Sequence, residues 1–319
     1  MQASFSVYRS LAEAEGRFGP SAVTIGNFDG AHLGHQELFR RLRRWDAKPS
    51  VLTFDPHPSK VVAPDRAPRL LSTLEERFEW MRRCGIEQAL AVPFDVEFSR
   101  LSPRDFVAHV VVRAAGAKAV LVGENFRFGA KAAGDTAMLA ELGREFGFET
   151  VIVPGVMLRG RMVSSTVIRG LLDAGQVERA ARMLGRPYSL AGRVVAGHGV
   201  GAKKTVPTLN LATLSEVVPA RGVYITETRD PDMRRVWPSV TNIGHRPTFG
   251  GDEALAIESF ILEGYNDPAP ERIEVAFLHR LREERKFPDP ESLKLQIFKD
   301  AGRAKRYFAR RRKWIGRAV

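Results

Sequence analysis

The chain has 319 residues, 44% of them hydrophobic, with a formal net charge of +12. That length exceeds one ordinary core and predicts two domains, while the single cysteine, Cys84, excludes an internal disulfide and argues against a zinc cluster. No apolar run approaches the roughly 20 residues that cross a bilayer, and the start MQASFSVYRS lacks the apolar stretch of a secretion signal; the expectation is a cytoplasmic protein with no membrane partner.

In chain order, Ala22–Ile25 reads as a short buried strand and Gln36–Trp45 has helical composition. Between them lies Ile25-Gly26-Asn27-Phe28-Asp29-Gly30-Ala31-His32-Leu33-Gly34-His35. Gly26, Gly30 and Gly34 permit tight turning and close backbone approach, and free amides at a helix start suit phosphate. His32 and His35 can donate hydrogen bonds to phosphate oxygens, as nucleotidyl transfer would need, or form a metal site or a satisfied turn. Strands are expected at Ser50–Phe54, Gln88–Val92, Ala119–Val122 and Thr150–Val153, and helices at Leu74–Arg83, Pro103–Ala115 and Thr136–Phe146. Alternation of this kind predicts a doubly wound parallel sheet that binds ligands at the carboxyl ends of its strands. Three segments emerge there: the glycine-rich turn, Asp55-Pro56-His57-Pro58, and Val122-Gly123-Glu124-Asn125-Phe126-Arg127-Phe128-Gly129. The prolines make the second a rigid turn. Phe126 and Phe128 suit either stacking on a flat ring or local core packing. Further on, Ser164 or Ser165 can cap a new helix that carries Thr166 and Arg169, which reads as an anion site or as a plain capped helix.

The helix-like stretch Val177–Met183 leads to Leu184-Gly185-Arg186-Pro187-Tyr188, where a domain boundary is expected near Gly185. Strand-like runs follow at Leu190–Val195, Gly222–Thr228, Val236–Ile243, Ala256–Leu262 and Ile273–Phe277, and their close succession predicts an antiparallel barrel. The glycines from Gly192 to Gly201, Gly197 among them, can surround phosphates, and in Pro207-Thr208-Leu209-Asn210 the side chains of Thr208 and Asn210 offer hard oxygen ligands for Mg²⁺; both are otherwise ordinary turns. Glu258 on its strand reads as a solvated carboxylate. A final helix from Pro290 to Lys313 has Leu293, Ile297, Ala304 and Phe308 on one side and Arg303, Arg306, Arg310 and Lys313 on the other. Residues 301–319 hold eight of the twelve excess charges, so a docked helix with a solvated basic face is the reading, and a nucleic-acid arm the rival.

The string Gly26-Asn27-Phe28-Asp29-Gly30-Ala31-His32-Leu33-Gly34-His35 resembles the signature of the adenylyltransferase module of bacterial bifunctional riboflavin kinase/FAD synthetases. Phe54-Asp55-Pro56-His57-Pro58 and Val163-Ser164-Ser165-Thr166-Val167-Ile168-Arg169 resemble further elements of that module. The second half carries look-alikes of the kinase module in the family's order: the glycine-rich loop, Pro207-Thr208-Leu209-Asn210, Asn242-Ile243-Gly244-His245-Arg246-Pro247-Thr248, the Glu258 strand, and Arg282-Glu283-Glu284-Arg285-Lys286-Phe287.

The resemblance implies an α/β protein: an N-terminal doubly wound (Rossmann-like) nucleotidyltransferase domain over residues 1–184 and a C-terminal six-stranded antiparallel barrel with a terminal helix over 185–319. It implies phosphorylation of riboflavin to FMN, then transfer of AMP from ATP to FMN, with Mg²⁺ or Mn²⁺ as cofactor and ATP, riboflavin, FMN and FAD as substrates or products. His32, His35 and Glu258 would be catalytic. Gly26, Asn27, Phe28, Asp29, Gly30, Gly34, Pro56, His57, Pro58, Asn125, Phe126, Phe128, Ser164, Ser165, Thr166 and Arg169 would bind ATP or FMN. Gly197, Gly201, Pro207, Thr208, Asn210, Arg246 and Arg282 would serve the kinase site, with Thr208 and Asn210 on the metal.

The chain departs from the family at Asn125, where many members have Asp, and at Ala130-Lys131-Ala132-Ala133, where an arginine is usual. It departs again at Gly201, Ala202 and Thr205. Alternatives are an enzyme that only adenylylates FMN beside an impaired kinase domain, and a nucleic-acid-binding protein that uses the basic tail.

Overall fold

The computed structural model describes residues 5–195, 208–247, 253–265 and 268–315, without the side chains of 245–247, 253–254 and 313–315. Among them the chain divides into two compact units that part between Ser165 and Thr166.

The first unit alternates strand and helix: β1 (Ser6–Tyr8), α1 (Leu11–Ala14), β2 (Ser21–Ile25), α2 (Leu33–Leu42), β3 (Lys48–Asp55), α3 (Pro58–Val62), α4 (Leu74–Arg83), β4 (Gln88–Pro93), α5 (Pro103–Asp105), β5 (Ala117–Gly123), α6 (Thr136–Phe146), β6 (Glu149–Val153) and a small hairpin, β7 (Met157–Leu158) with β8 (Arg161–Met162). Six parallel strands form one sheet in the order β1-β4-β3-β2-β5-β6. The chain winds outward from β2 through β3 to β4, then returns to β5 on the other side of β2, so the switch point lies at the carboxyl ends of β2 and β5. Strand alternation sends Val23, Ile25 and Leu52 to one face and Ala22 and Val51 to the other. Phe106, Val110 and Leu139 cover the first face; Leu38, Phe39, Phe78 and Met81 cover the second.

Three details differ from expectation. The short β1 has a half-exposed pattern that gave no alternation to read. Helix α2 starts at Leu33, three residues before Gln36, because the His32 side chain caps it. Beyond α5 the chain continues as a π-helix, Phe106–Ala114, a wider turn that suits the crowded β-branched run Val110-Val111-Val112.

The second unit holds most of α7 (Ser165–Asp173), then α8 (Val177–Leu184), which ends at Gly185 with φ 73°. Six strands, β9 (Tyr188–Val195), β10 (Thr208–Thr213), β11 (Gly222–Asp230), β12 (Arg235–Pro247), β13 (Glu253–Ile261) and β14 (Arg272–Arg282), close an antiparallel barrel in the order β10-β13-β12-β11-β14-β9. Thr208–Thr213, read from sequence as a turn, is the sixth strand; Leu209 and Leu211 alternate into the core. The barrel interior combines Leu190, Tyr224, Ile243, Ile257 and Phe277 with five buried hydroxyls. Thr226, Thr228, Ser239, Thr241 and Ser259 satisfy one another across β11, β12 and β13 at 2.6–3.1 Å.

Helix α9 (Pro290–Ile315) lies on the outer wall, where Ala304 and Phe308 meet Val223, Ile225, Val240 and Leu278. Arg303, Arg306 and Arg310 stay exposed, as the docked-helix reading expects. At its start the apolar stripe is not buried: Leu293 is 42% exposed because a cavity lies beneath it.

Candidate active sites

In the first unit the turn after β2 is held by bonds between residues far apart in sequence. A Cβ at Gly26 would lie 3.2 Å from the ring of Phe28. Phe28 takes left-handed backbone (φ 51°), and its ring is packed edge-on to His35 at 5.2 Å and against Phe39 at 5.3 Å. Phe28 is thus part of the wall beneath the turn. Asp29, 4% exposed, accepts hydrogen bonds from the amides of Leu71 (2.9 Å) and Ser72 (3.1 Å). The Gly30 amide donates to the Ser72 hydroxyl at 2.9 Å, and the Ser165 hydroxyl to the Asp29 carbonyl at 2.9 Å. Two amides on one carboxylate make a strong anchor, so Asp29 ties the turn to the segment before α4.

His32 accepts the His35 amide on Nδ1 at 3.4 Å, as the cap of α2. A neutral ring then carries its proton on Nε2, as a donor. The two imidazoles stack with centroids 3.6 Å apart. A Cβ at Gly34 would stand 3.1 Å from His32 Cε1, closer than packing normally allows, so glycine keeps the stack in place. His57 caps α3, accepting the Ser59 amide on Nδ1 at 3.2 Å, and its Nε2 lies 3.0 Å from the Asn27 amide. With Nδ1 accepting, a neutral His57 donates from Nε2, so Asn27 turns its oxygen to the ring. The amide orientation that matches this tautomer puts Oδ1, in place of Nδ2, 3.0 Å from Nε2. Asn27, His32, His35 and His57 are therefore each oriented by a named contact.

Other sequence-chosen residues fall into place unevenly. Pro56 and Asn125 are exposed, and Pro58 opens α3. Phe126 stacks on Phe128 at 5.6 Å, and Phe128 continues into the core against Phe106; packing therefore takes up Phe128. Ser164 precedes α7 and is half-buried, while in the second unit's part of that helix Arg169 donates to Thr166 Oγ1 at 3.4 Å. Sequence reading missed Ser72 and Arg77. Arg77 is 2% exposed and donates to the Asn27 carbonyl at 2.7 Å. Its signal was a charge inside the apolar stripe Leu74, Phe78, Met81.

In the second unit, strand register sets the site. Glu258 stands opposite Asn210 on one side and Asn242 on the other, so the three share one row on the outer wall. Two residues along, Thr208 pairs with Phe260 and shares that face. A cavity of about 680 Å³ opens against the wall, lined by Asn242, Glu258 and the apolar Val240, Phe260 and Leu262, and closed by residues 284–290 and the start of α9. Its size is that of a small-molecule site.

Arg282 at its edge donates to Asp300 at 2.9 Å, and the second oxygen of Asp300 accepts from Gln296 at 2.7 Å. Arg282 also lies over the Phe287 ring at 5.7 Å. The guanidinium is thus fastened to α9, and Asp300, 2% exposed, is a residue that the sequence did not single out. Glu284 crosses the backbone of Gly244 so closely that a Cβ there would meet its Oε1 at 2.0 Å. Gly197, Gly201 and Pro207 lie outside the described residues, as does the Arg246 side chain. Among the described residues no three His, Cys, Asp or Glu side chains converge as a metal cluster, and no helix is long and apolar enough to cross a membrane.

Two family models match the chain: FAD synthetase over residues 16–167 and riboflavin kinase over residues 184–308. A bifunctional riboflavin kinase/FMN adenylyltransferase of Escherichia coli K12 is 34% identical, with 90% of this chain and 92% of that protein aligned. The chain belongs to the bifunctional riboflavin kinase/FMN adenylyltransferase family. A relative of the same description from Pseudomonas fluorescens is 36% identical over 89% of this chain and 91% of its own length. Among solved structures, one described as a macrolide-efflux protein from Streptococcus pneumoniae superposes with a TM-score of 0.82 at 29% identity, covering 94% of this chain and 98% of that one. Within the family, the FAD synthetase match takes in the His32–His35 turn, and the riboflavin kinase match takes in the Glu258 row and the cavity.

Proposed function

We propose that this chain makes FAD from riboflavin in two steps, each using one ATP. In the first, the riboflavin 5′-hydroxyl oxygen attacks the γ-phosphorus of ATP, Glu258 takes the hydroxyl proton, and ADP leaves. In the second, a phosphate oxygen of FMN attacks the α-phosphorus of another ATP and pyrophosphate leaves. The observation that carries the reading is the occurrence, in one chain of this family, of a histidine-capped turn at the switch point of the sheet and a separate cavity at a carboxylate-bearing barrel wall.

The FMN phosphate is already ionised, so no base is needed for adenylyl transfer. Positioning and charge stabilisation are. His32, donating from Nε2, and His35 stacked on it are assigned to the departing pyrophosphate. Gly26, Asn27 and Gly30 bring backbone close to the nucleotide, with Ser164, Ser165, Thr166 and Arg169 as anion-binding partners and Pro56, His57, Pro58, Asn125 and Phe126 beside nucleotide or flavin. Asp29 and Phe28 serve the same site by fixing its turn.

In the kinase site Thr208 and Asn210 lie on the face that bears Glu258, and their oxygens suit Mg²⁺ or Mn²⁺. When bound, the ion offsets charge on the ATP phosphates. The apolar wall of Val240, Phe260 and Leu262 takes the flavin ring, and Arg282 stays fastened beside it. Residues 1–184 and 185–319 are the two modules of this proposal, and its reactants are those of the cytoplasm.

Riboflavin incubated with MgATP and followed by chromatography tests the reading. FMN should rise first and decline as FAD accumulates. No FMN from riboflavin, with FAD formed only from added FMN, would reduce the chain to an adenylyltransferase.

A further inference from the structure

Arg77 is a buried charge that neither reaction uses. Its neighbours on α4, Leu74, Phe78 and Met81, face the core, and an apolar residue would fill its place without the desolvation of a guanidinium. What distinguishes arginine there is its bonds: Nη1 donates to the Asn27 carbonyl at 2.7 Å and Nε to the Thr73 carbonyl at 3.4 Å. Burial pulls its pKa down, while Asp29, Asp55 and Glu75 oppose that pull and sustain the charge. The sheet face that α4 covers is otherwise mostly apolar but also carries hydroxyls. Thr24 and Thr53, fully buried on β2 and β3, alternate onto the face of the sheet that α4 covers.

The Asn27 carbonyl belongs to the peptide that leads into Phe28, the residue in left-handed conformation. Fixing that carbonyl fixes the peptide plane. The plane sets both the Asn27 amide against His57 and the path through Asp29 to the His32 cap. We infer that Arg77 is a positioning residue for adenylyl transfer, its guanidinium clasping the Asn27 carbonyl to the start of α4 so that Asn27 and His32 meet the nucleotide in reactive geometry. The inference rests on the adenylyltransferase reading above.

The test uses the full chain with Arg77→Lys and Arg77→Met, measuring kcat and ATP KM for FAD formation from FMN, riboflavin phosphorylation, and thermal melting. Arg77→Lys keeps the charge but cannot span both carbonyls. It should lower kcat about 10-fold while KM stays within about 3-fold and melting is close to that of the parent, since a small misplacement acts on the reacting geometry. Arg77→Met should lower kcat about 100-fold, and riboflavin phosphorylation should be unchanged in both. Parental kcat in Arg77→Lys overturns the inference, as does a fall in kcat accompanied by a rise in KM beyond about 3-fold and a lowered melting temperature in that variant, which would make the role purely structural. Should Arg77→Met fail to fold, Arg77→Lys alone decides. An unsubstituted chain that phosphorylates riboflavin but forms no FAD overturns the adenylyltransferase reading itself, and this inference with it.

Discussion

The two units orient their reactive groups by different physical means. In the first, position is set by a turn: Asp29 on the Leu71 and Ser72 amides, His32 on the His35 amide and Arg77 on the Asn27 carbonyl, with hardly an exposed side chain among them. In the second, position is set by register, which aligns Asn210, Glu258 and Asn242 across three strands, and α9 with residues 284–290 closes the cavity over them. A turn-built site fails when one close approach is lost. A register-built site tolerates more around it but depends on the single carboxylate its row presents.

If that contrast holds, substitutions should separate the two activities. The largest effect is expected for Glu258→Ala, which should reduce riboflavin phosphorylation about 10²- to 10⁴-fold, the range for a lost general base, and leave FAD formation from supplied FMN intact. Parental phosphorylation rates would exclude Glu258 as the base. Next, His32→Ala combined with His35→Ala should lower FAD formation at least ~10²-fold while FMN formation persists; normal FAD production would remove both histidines from the chemistry.

Gly34→Ala sharpens the turn side of the comparison. The new Cβ would sit 3.1 Å from His32 Cε1 and 3.2 Å from Nδ1, so the ring must shift by a few tenths of an ångström. A drop of roughly 10-fold in FAD formation without a fall in melting temperature is expected, and an unchanged rate would mean that the ring position is not critical.

The smallest effect concerns the barrel's stability at high pH. Burial pushes the Tyr224 phenol up to about 12, against the pull of Arg280, and its hydroxyl donates to the Ala220 carbonyl. Because the folded pKa lies above the unfolded value near 10, this contribution is fully present below pH 10 and is lost as pH rises toward about 12. Melting temperature should be flat from pH 8 to 10 and then fall, with a shallower fall in Tyr224→Phe. Equal slopes in both proteins would assign the alkaline loss elsewhere.

Much of this organisation was legible in the residues. The parallel strands announced themselves as apolar runs between helix-forming stretches, and the helices Leu74–Arg83 and Thr136–Phe146 have the bounds expected of them. The barrel followed from the close succession of strand-like runs, except for Thr208–Thr213, whose short Leu209/Leu211 pattern stands behind a glycine-rich run. Within the sites, His32 could be named because its type and its place at a helix start carry the chemistry, and His57 and Glu258 because the strings around them resemble the family's motifs. The bonds that support them could not. Asp29 meets Leu71 across 42 residues, Arg77 meets Asn27 across 50, and Asp300 meets Arg282 from another element. No local pattern reports such bonds, because the fold alone brings the partners together. For the same reason Phe128, a plausible stacking platform by type, is packed against Phe106 in the core.

The central claim is that different phosphorus atoms of ATP are attacked at two sites in one polypeptide. Its most direct test supplies riboflavin as the sole flavin, with ATP labelled at the α-phosphorus in one reaction and at the γ-phosphorus in another. The account predicts γ-label in FMN and then in FAD, and α-label in FAD but never in FMN. FAD that carries no α-label, or FMN that carries no γ-label, would contradict it.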